Sequence, residues 1–446
     1  MKWLASDLVR ALSEWSLTRE QSRLVGPDVE IEGAHFDSRE IVAGQMFVPL
    51  VADRDGHDFI GDALRSGASA YLTSRTDVID RCGGTAILVP DTAIALRDAA
   101  SWVRTRLPDS TVTIGITGSV GKTSTKDFAT AALGGVRRVS ANVRSFNNEQ
   151  GLPITILNAP LETEVLVLEM GMRGFGQIAD LCRVARPAIG VVTSIGEAHT
   201  ELVGGIEGVA RAKGELIEAL PPQGVAILNG DDHRVRALSS RSVAPVILYG
   251  ESEDCDVRIS DVAIDDRGRT RAVLTSEGVS AELTLAIPGR HMVSNAAAAV
   301  AMGVAIGVPL DPMVRGLAHA HVSAHRMRIV RTRRGVTILD DCYNANPTSM
   351  NAALETLSSI GSGPRLAIVG VMAELSDPEA AHLGIADLAR SLGVQLLSVG
   401  TDLYGVAPGV ASEMIDLIGS LPPDAAVLVK GSRVAGLERI VDAVTE

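Results

Sequence analysis

Cysteine is scarce in this chain, and what there is does not pair. Cys82, Cys182, Cys255 and Cys342 are the only four among 446 residues, and no two stand as C-x-x-C. That scatter argues against a zinc site or a disulfide framework and fits a reducing compartment. Positive charge is in deficit as well, with 41 Lys and Arg against 54 Asp and Glu, a net charge of −13. No general attraction then draws the chain to nucleic acid or anionic lipid, so an anionic substrate must be held by local cations. A long apolar run is also missing: Ala296 to Val308 is only about two-thirds of a membrane span. At the N-terminus, Leu4, Leu8, Leu12 and Trp15 recur at helical spacing with charges between them, which is an amphipathic helix and not a signal peptide. The chain is therefore expected to be soluble and cytoplasmic, without membrane insertion or nucleic-acid binding.

What is present is the composition of an ordinary globular protein, 46% hydrophobic and 21% charged, which excludes disorder on a large scale. The length predicts about three domains. The expected fold class is α/β: a small α/β N-terminal domain over 1–107, a central domain with a mostly parallel sheet over 108–325, and a C-terminal Rossmann-like, doubly wound domain over 326–446. Val112 to Ile116, Val165 to Glu169, Ile189 to Thr193 and Val225 to Leu228 read as buried parallel strands. Asp254 to Thr284 alternates with strand period and predicts an antiparallel edge, and an alanine-rich helix follows Asn295. In the last third, Thr337 to Asp340, Leu366 to Val369, Gln395 to Val399 and Ala426 to Val429 read as four strands with helices between them.

The run Thr117-Gly-Ser-Val-Gly-Lys-Thr-Ser-Thr125 carries the chemistry. It joins a strand to a helix, so backbone N–H groups at Gly118, Ser119, Val120 and Gly121 and at the helix N-terminus can face phosphate oxygens. Lys122 adds a point charge, and Thr123 and Ser124 add hydroxyls, that of Thr123 suited to Mg²⁺. The common phosphate loop has a glycine five residues before its last one; here that position is Ile116 and the first useful glycine is Gly118.

Four further places offer ligands. Glu169 ends a strand at a turn, where a hard oxygen could meet Mg²⁺; the bland alternative is a surface acid. His199 follows the strand ending at Thr193, and Lys213 lies in a helix beyond it, where a solvated lysine is the ordinary expectation. Asn295 could read an adenine edge or simply cap its helix. Asp340 to Met350 packs two acids, two amides and a tyrosine behind a strand, a density of polar groups that suggests binding.

Taken together, Thr117-Gly-Ser-Val-Gly-Lys-Thr, Asn147-Asn-Glu-Gln-Gly-Leu-Pro153, Glu169-Met-Gly171, Gly196-Glu-Ala-His199, Ala212-Lys-Gly-Glu215 and Asp341-Cys-Tyr-Asn-Ala-Asn-Pro347 resemble the Mur ligases of peptidoglycan synthesis. The shortened phosphate loop is itself typical of that family, and Asp37-Ser-Arg39 and Gly56-His-Asp-Phe59 extend the likeness to the N-terminus. Tyr343 to Met350 and Leu428-Val-Lys-Gly-Ser-Arg433 are most similar to the members that take D-alanyl-D-alanine. The resemblance implies an ATP- and Mg²⁺-dependent ligase that joins this dipeptide to UDP-N-acetylmuramoyl-tripeptide through an acyl phosphate, acting as a monomer. It implies Lys122, Glu169, His199 and Lys213 as catalytic, and Thr123, Glu169, His199 and Lys213 around metal, with Lys213 as a carbamate. Asn295, Arg326 and Asp341 would join the loop in holding ATP. Asp37, Ser38 and Arg39 would face the UDP group, Asn147 and Asn148 the muramoyl peptide, and Tyr343, Asn344 and Asn346 the substrates. Met292 and Val371 stand where the family usually has Asn and an acid.

Two other readings compete. One is a ligase of the same architecture with another acceptor, such as a diaminopimelate-adding Mur ligase or a folylpolyglutamate synthase; Asn344-Ala-Asn-Pro-Thr-Ser349 departs from the Asp-Asn-Pro expected of a diaminopimelate-adding enzyme. The other is a nucleotide-binding regulator without catalysis, which Lys122, Glu169, His199 and Lys213 together argue against.

Overall fold

Alternating strands and helices dictate how the backbone is satisfied, and the computed structural model describes residues 1–15, 22–143, 146–196, 200–265 and 268–445. The largest sheet has nine strands in the order Val279–Leu285, Thr270–Ser276, Val257–Ile264, Val246–Gly250, Val225–Asn229, Ile189–Val192, Val112–Thr117, Val165–Glu169, Val139–Ala141. Strands expected to be buried are buried on both faces, as parallel strands covered by helices must be. The expected antiparallel edge is there: Val257–Ile264, Thr270–Ser276 and Val279–Leu285 form a meander ending the sheet.

The chain divides into two compact units. One comprises Met1–Gly115, Arg138–Met170 and Ala179–Pro187, the other Ile116–Arg137, Gly171–Ile178 and Ala188–Glu446. In the first, a five-stranded sheet runs Arg23–Val25, Ala86–Leu88, Ala70–Thr73, Met46–Phe47, Ala34–His35, parallel except for its first pair. Phe47, Ile60, Tyr71 and Val78 fill its core. Asn158, at the end of the helix Gly151–Leu157, bonds both the N–H and the C=O of Ala34 and so ties helix to strand. The N-terminal helix is Ala5–Trp15, with Leu8 and Leu12 buried. Leu4 does not belong to it. It falls in the strand Lys2–Leu4, paired antiparallel to Glu30–Glu32, so the period of two turns Trp3 inward and leaves Leu4 45% exposed.

In the second unit, the helix Lys122–Gly134 packs against the helix Arg290–Ala305, whose alanines keep side chains short enough for close approach. A six-stranded sheet runs Arg328–Arg331, Thr337–Asp340, Ala426–Lys430, Arg365–Val369, Gln395–Val399, Pro408–Gly409. The four expected strands are its parallel centre. The short strands Arg328–Arg331, antiparallel, and Pro408–Gly409 were not apparent in the sequence because their side chains are half exposed. Ile338, Ile368, Val427 and Ile440 form the core on one face. Ile368→Ala should cost about 2–5 kcal/mol through lost burial and the cavity left behind; urea unfolding of the full chain measures it, and a change below the lower figure would mean that the core collapses around the gap.

Candidate active site

Two glycines set the path of the phosphate loop. At Gly118, φ is +153° and a Cβ would lie 1.9 Å from Thr193 Oγ1; at Gly121, φ is +86° and a Cβ would lie 2.4 Å from Asn295 Oδ1. Neither position admits a side chain. The loop is then pinned to the segment after Ile189–Val192: Ser119 and Val120 donate their N–H groups to Ser194 O and Oγ at 2.9 Å, and Thr193 Oγ1 donates to Val120 O at 2.6 Å. Two of the loop amides expected to face phosphate are thus engaged by protein here. No side chain caps the helix at Gly121, which leaves the N-terminus at Lys122 and Thr123 as the anion-facing end. Lys122 Nζ donates to Gly118 O at 2.7 Å. Ser124 is buried in the first turn.

Asn295 is not at a helix start. Its helix begins at Arg290 behind Gly289, whose φ of +117° breaks the preceding chain, so Asn295 sits in the second turn. It is buried against the loop, accepting from Thr125 Oγ1 at 3.3 Å, and Met292 Sδ lies 3.8 Å from its amide nitrogen. In this structure it supports Gly121 from behind.

Lys213 is not a solvated lysine. The helix Ile206–Glu218 carries it at 2% exposure, and burial, with Lys122 adding to it, pushes its amine well below the usual lysine range. His199 lies outside the described residues. Glu169, in the other unit, is likewise no surface acid: it is 2% exposed, Asn147 Nδ2 donates to its Oε1 at 2.7 Å, and its own N–H donates to Asn142 Oδ1 at 2.6 Å. Asn148, by contrast, is used locally: its Oδ1 accepts from Gly151 N at the start of a helix. Asp37 and Arg39 form a two-pronged pair at 2.6 and 2.9 Å, and the guanidinium holds the Asp37 carboxyl down at about 2. Ser38 is buried between them in sequence.

The polar loop after Thr337–Asp340 is partly consumed by its own folding. Asp341 accepts from Met327 N at 3.0 Å and pairs with Lys430, a buried lysine that also donates to Asn344 O at 2.9 Å. Asn346, proposed as a substrate ligand, is the cap of the helix Pro347–Ser358, with Ser349 returning the bond. Tyr343 stands beside two arginines. Its ring lies under Arg326, 4.1 Å from Cζ to centroid, with Arg433 at 5.6 Å, and Arg326 Nε is buried without a hydrogen-bond partner. An orphaned donor on one of two guanidiniums beside the same ring suits an anion. Cys342 is buried beside Asp340, and both effects push its thiol up.

Similarity to known proteins places the chain in a family. The family model of the Mur ligase middle domain matches residues 116–303, and that of the Mur ligase glutamate ligase domain matches 325–433. The UDP-N-acetylmuramoyl-tripeptide--D-alanyl-D-alanine ligase of Mycobacterium tuberculosis is 36% identical, with 92% of this chain and 91% of that protein covered. Its Escherichia coli counterpart is 33% identical over 95% and 96%. The chain belongs to the Mur ligase family. Among solved structures, MurF from Acinetobacter baumannii superposes with a TM-score of 0.87 at 28% identity over 100% and 99% of the two chains. MurF from Thermotoga maritima, solved in complex with ADP, gives 0.81 at 28% over 93% and 97%.

Beside the expected residues stand others that the sequence did not single out. Lys430 and Arg433 are visible only as members of a motif, and Asn142 looks like any loop amide until it is seen holding Glu169. His291 lies at the first turn of Arg290–Ala305; burial pushes it down to about 4, Asp341 opposing and Lys430 assisting. The unfolded chain takes up this proton near the ordinary 6.5, so stability is intact above that pH and is lost as pH falls toward about 4. Urea unfolding at pH 7 and pH 5 should show a larger drop for the native chain than for His291→Gln; equal drops would remove His291 from the acid response. Gly121→Ala should cost roughly 1–3 kcal/mol of strain and abolish nucleotide binding measured by calorimetry, and native affinity would show that the loop tolerates a Cβ there.

Proposed function

We propose that this Mur ligase joins D-alanyl-D-alanine to the free carboxylate of UDP-N-acetylmuramoyl-tripeptide, using ATP, in the cytoplasmic assembly of peptidoglycan precursor, and that it works as a monomer with segments 1–107, 108–325 and 326–446 serving UDP-substrate, ATP and acceptor chemistry. A peptide carboxylate oxygen attacks the γ-phosphorus, ADP leaves, and an acyl phosphate remains. The dipeptide amine then attacks the acyl carbon, the acyl C–O bond to phosphate breaks, and the amine gives up a proton. The first step brings two anions together, so it needs cations already in place. Lys122 and the uncapped helix N-terminus supply them for the γ-phosphate. Arg326, with Asp341 held by Lys430, reaches the nucleotide from the C-terminal segment. Asp37, Ser38 and Arg39 serve the UDP group, Asn147 the muramoyl peptide through its hold on Glu169, and Tyr343 and Asn344 the substrates.

The buried carboxylate of Glu169 and the hydroxyl of Thr123 are hard oxygen donors that fit Mg²⁺. Mg²⁺ held at donors of this kind would supply further charge neutralisation at the phosphates, and His199 and Lys213 would serve a second metal. The observation that carries the reading is Lys213. A buried ammonium facing the Lys122 charge is unfavourable, and both effects favour the neutral amine, the form that adds to CO₂. The resulting carbamate is an anion, which turns repulsion from Lys122 into attraction and makes the side chain a metal ligand.

ADP release with the UDP-muramoyl tripeptide is expected with D-alanyl-D-alanine and not with single amino acids; turnover with a single amino acid alone would transfer the chain to another ligase of the family. Lys213→Ala should lower the rate at least about 100-fold, and a short carboxylic acid should restore part of it. Absence of rescue would count against the carbamate while leaving the ligase reading to the first assay.

A further inference from the structure

Outside the nucleotide machinery, one cluster brings three different metal-ligand types to a point. His325, Asp340 and Cys342 each offer an atom, and the set lies within 4.8 Å. His325 Nδ1 stands 3.0 and 3.1 Å from the two Asp340 oxygens, Cys342 Sγ 3.1 Å from Asp340 Oδ1, and Cys342 Sγ 3.6 Å from His325 Nδ1. These separations are close to one face of a tetrahedron, since bonds of about 2.0–2.3 Å to zinc place neighbouring ligand atoms roughly 3.3–3.8 Å apart. Expansion by a few tenths of an ångström would seat an ion.

The ordinary account of such a cluster is a buried carboxylate satisfied by two donors, an imidazole N–H and a thiol S–H. It explains Asp340, which is fully buried. It does not explain why His325 holds its place with φ at +61°, a left-handed backbone that a histidine adopts at a cost. Nor does it require a thiol as the second donor, where a hydroxyl would bond the carboxylate more strongly. The three side chains come from two separated segments, and His325 is only partly buried, its side chain 22% exposed, which leaves the fourth position open to water.

We propose that His325 Nδ1, an Asp340 carboxylate oxygen and Cys342 Sγ form a binding site for a borderline-soft divalent cation of the Zn²⁺ class, distinct from the oxygen-ligand magnesium chemistry at Glu169. On binding, the metal–sulfur bond forms, the thiol proton leaves to solvent, and neutral imidazole turns its Nδ1 lone pair to the ion. A nitrogen, oxygen and sulfur set selects Zn²⁺ or Co²⁺ over Mg²⁺. Because His325 and Asp340 directly precede Arg326 and Asp341, the ion would fasten together the two segments from which those nucleotide contacts project. That consequence rests on the function proposed above; the metal site itself does not.

Co²⁺ titration of the full-length protein in excess Mg²⁺, which occupies oxygen-only sites, tests it. A near-ultraviolet thiolate-to-cobalt charge-transfer band with tetrahedral visible bands is expected at one equivalent, bleached by added Zn²⁺. Cys342→Ser should abolish the charge-transfer band and His325→Asn should weaken binding at least about tenfold, with circular dichroism reporting that both variants are folded. No thiolate band in the native protein, or a band that survives in Cys342→Ser, would overturn the proposal. If Cys342→Ser does not fold, blocking of Cys342 against a thiol reagent by one equivalent of Zn²⁺, read by mass spectrometry, takes its place, and a thiol labelled equally with and without Zn²⁺ would overturn it.

Discussion

The loop around Lys122 depends on backbone passing where no side chain can. Gly118 and Gly121 lie so close to Thr193 and Asn295 that a methyl group on either would overlap a neighbouring oxygen. This contact shortens the loop relative to the common form. The chain leaves its strand at Thr117, is caught at once by Thr193 and Ser194, and enters the helix at Lys122. Asn295 comes up behind Gly121 because the alanine-rich helix can approach closely. The missing glycine at Ile116 is therefore no defect: Ile116 is an ordinary buried strand residue, and the turn begins two residues later.

With the loop fixed, the cost of the site falls on buried charge. Glu169, Lys213 and Lys430 are each almost wholly removed from water, and such groups are tolerated only with specific compensation. Asn147 and Asn142 orient the Glu169 segment, and Asp341 pairs with Lys430. Lys213 instead faces the like charge of Lys122, and that asymmetry separates it from the two others. A structural lysine would have been paired as Lys430 is. A lysine whose ammonium form is disfavoured by its surroundings is poised for chemistry at its nitrogen.

Much of this was legible in the sequence. Strands such as Val165–Glu169 and Thr337–Asp340 were apparent because buried parallel strands are short runs of branched apolar residues bounded by turns. The phosphate loop was legible because glycine, lysine and hydroxyl follow one another with a mechanism attached. Burial of charge was not, since Lys213 and Glu169 look like surface residues until the helix face or strand end they occupy is known. Pattern also failed where two periodicities meet, as at Leu4, which fits a helix by spacing and belongs to a strand by pairing. The His325, Asp340 and Cys342 cluster was hidden for a third reason. His325 lies 15 and 17 residues before the other two, too far for any C-x-x-C-like spacing, and the antiparallel pairing of Arg328 with Asp340 brings them together.

The loop from Asp341 to Asn346 shows how polar density in a sequence serves folding before it serves binding. Folding itself uses Asp341 to hold Met327 and Lys430, and Asn346 to start a helix. Those bonds engage two side chains in the loop's own folding, and the loop that they order carries Tyr343. Its ring is then shared by Arg326 and Arg433, and one guanidinium nitrogen is left buried without a partner. Two cations over one ring repel each other, and cation–π attraction offsets only part of that. The loop's amide-rich sequence therefore discloses its shape more than its charge, which resides in the arginines that frame it.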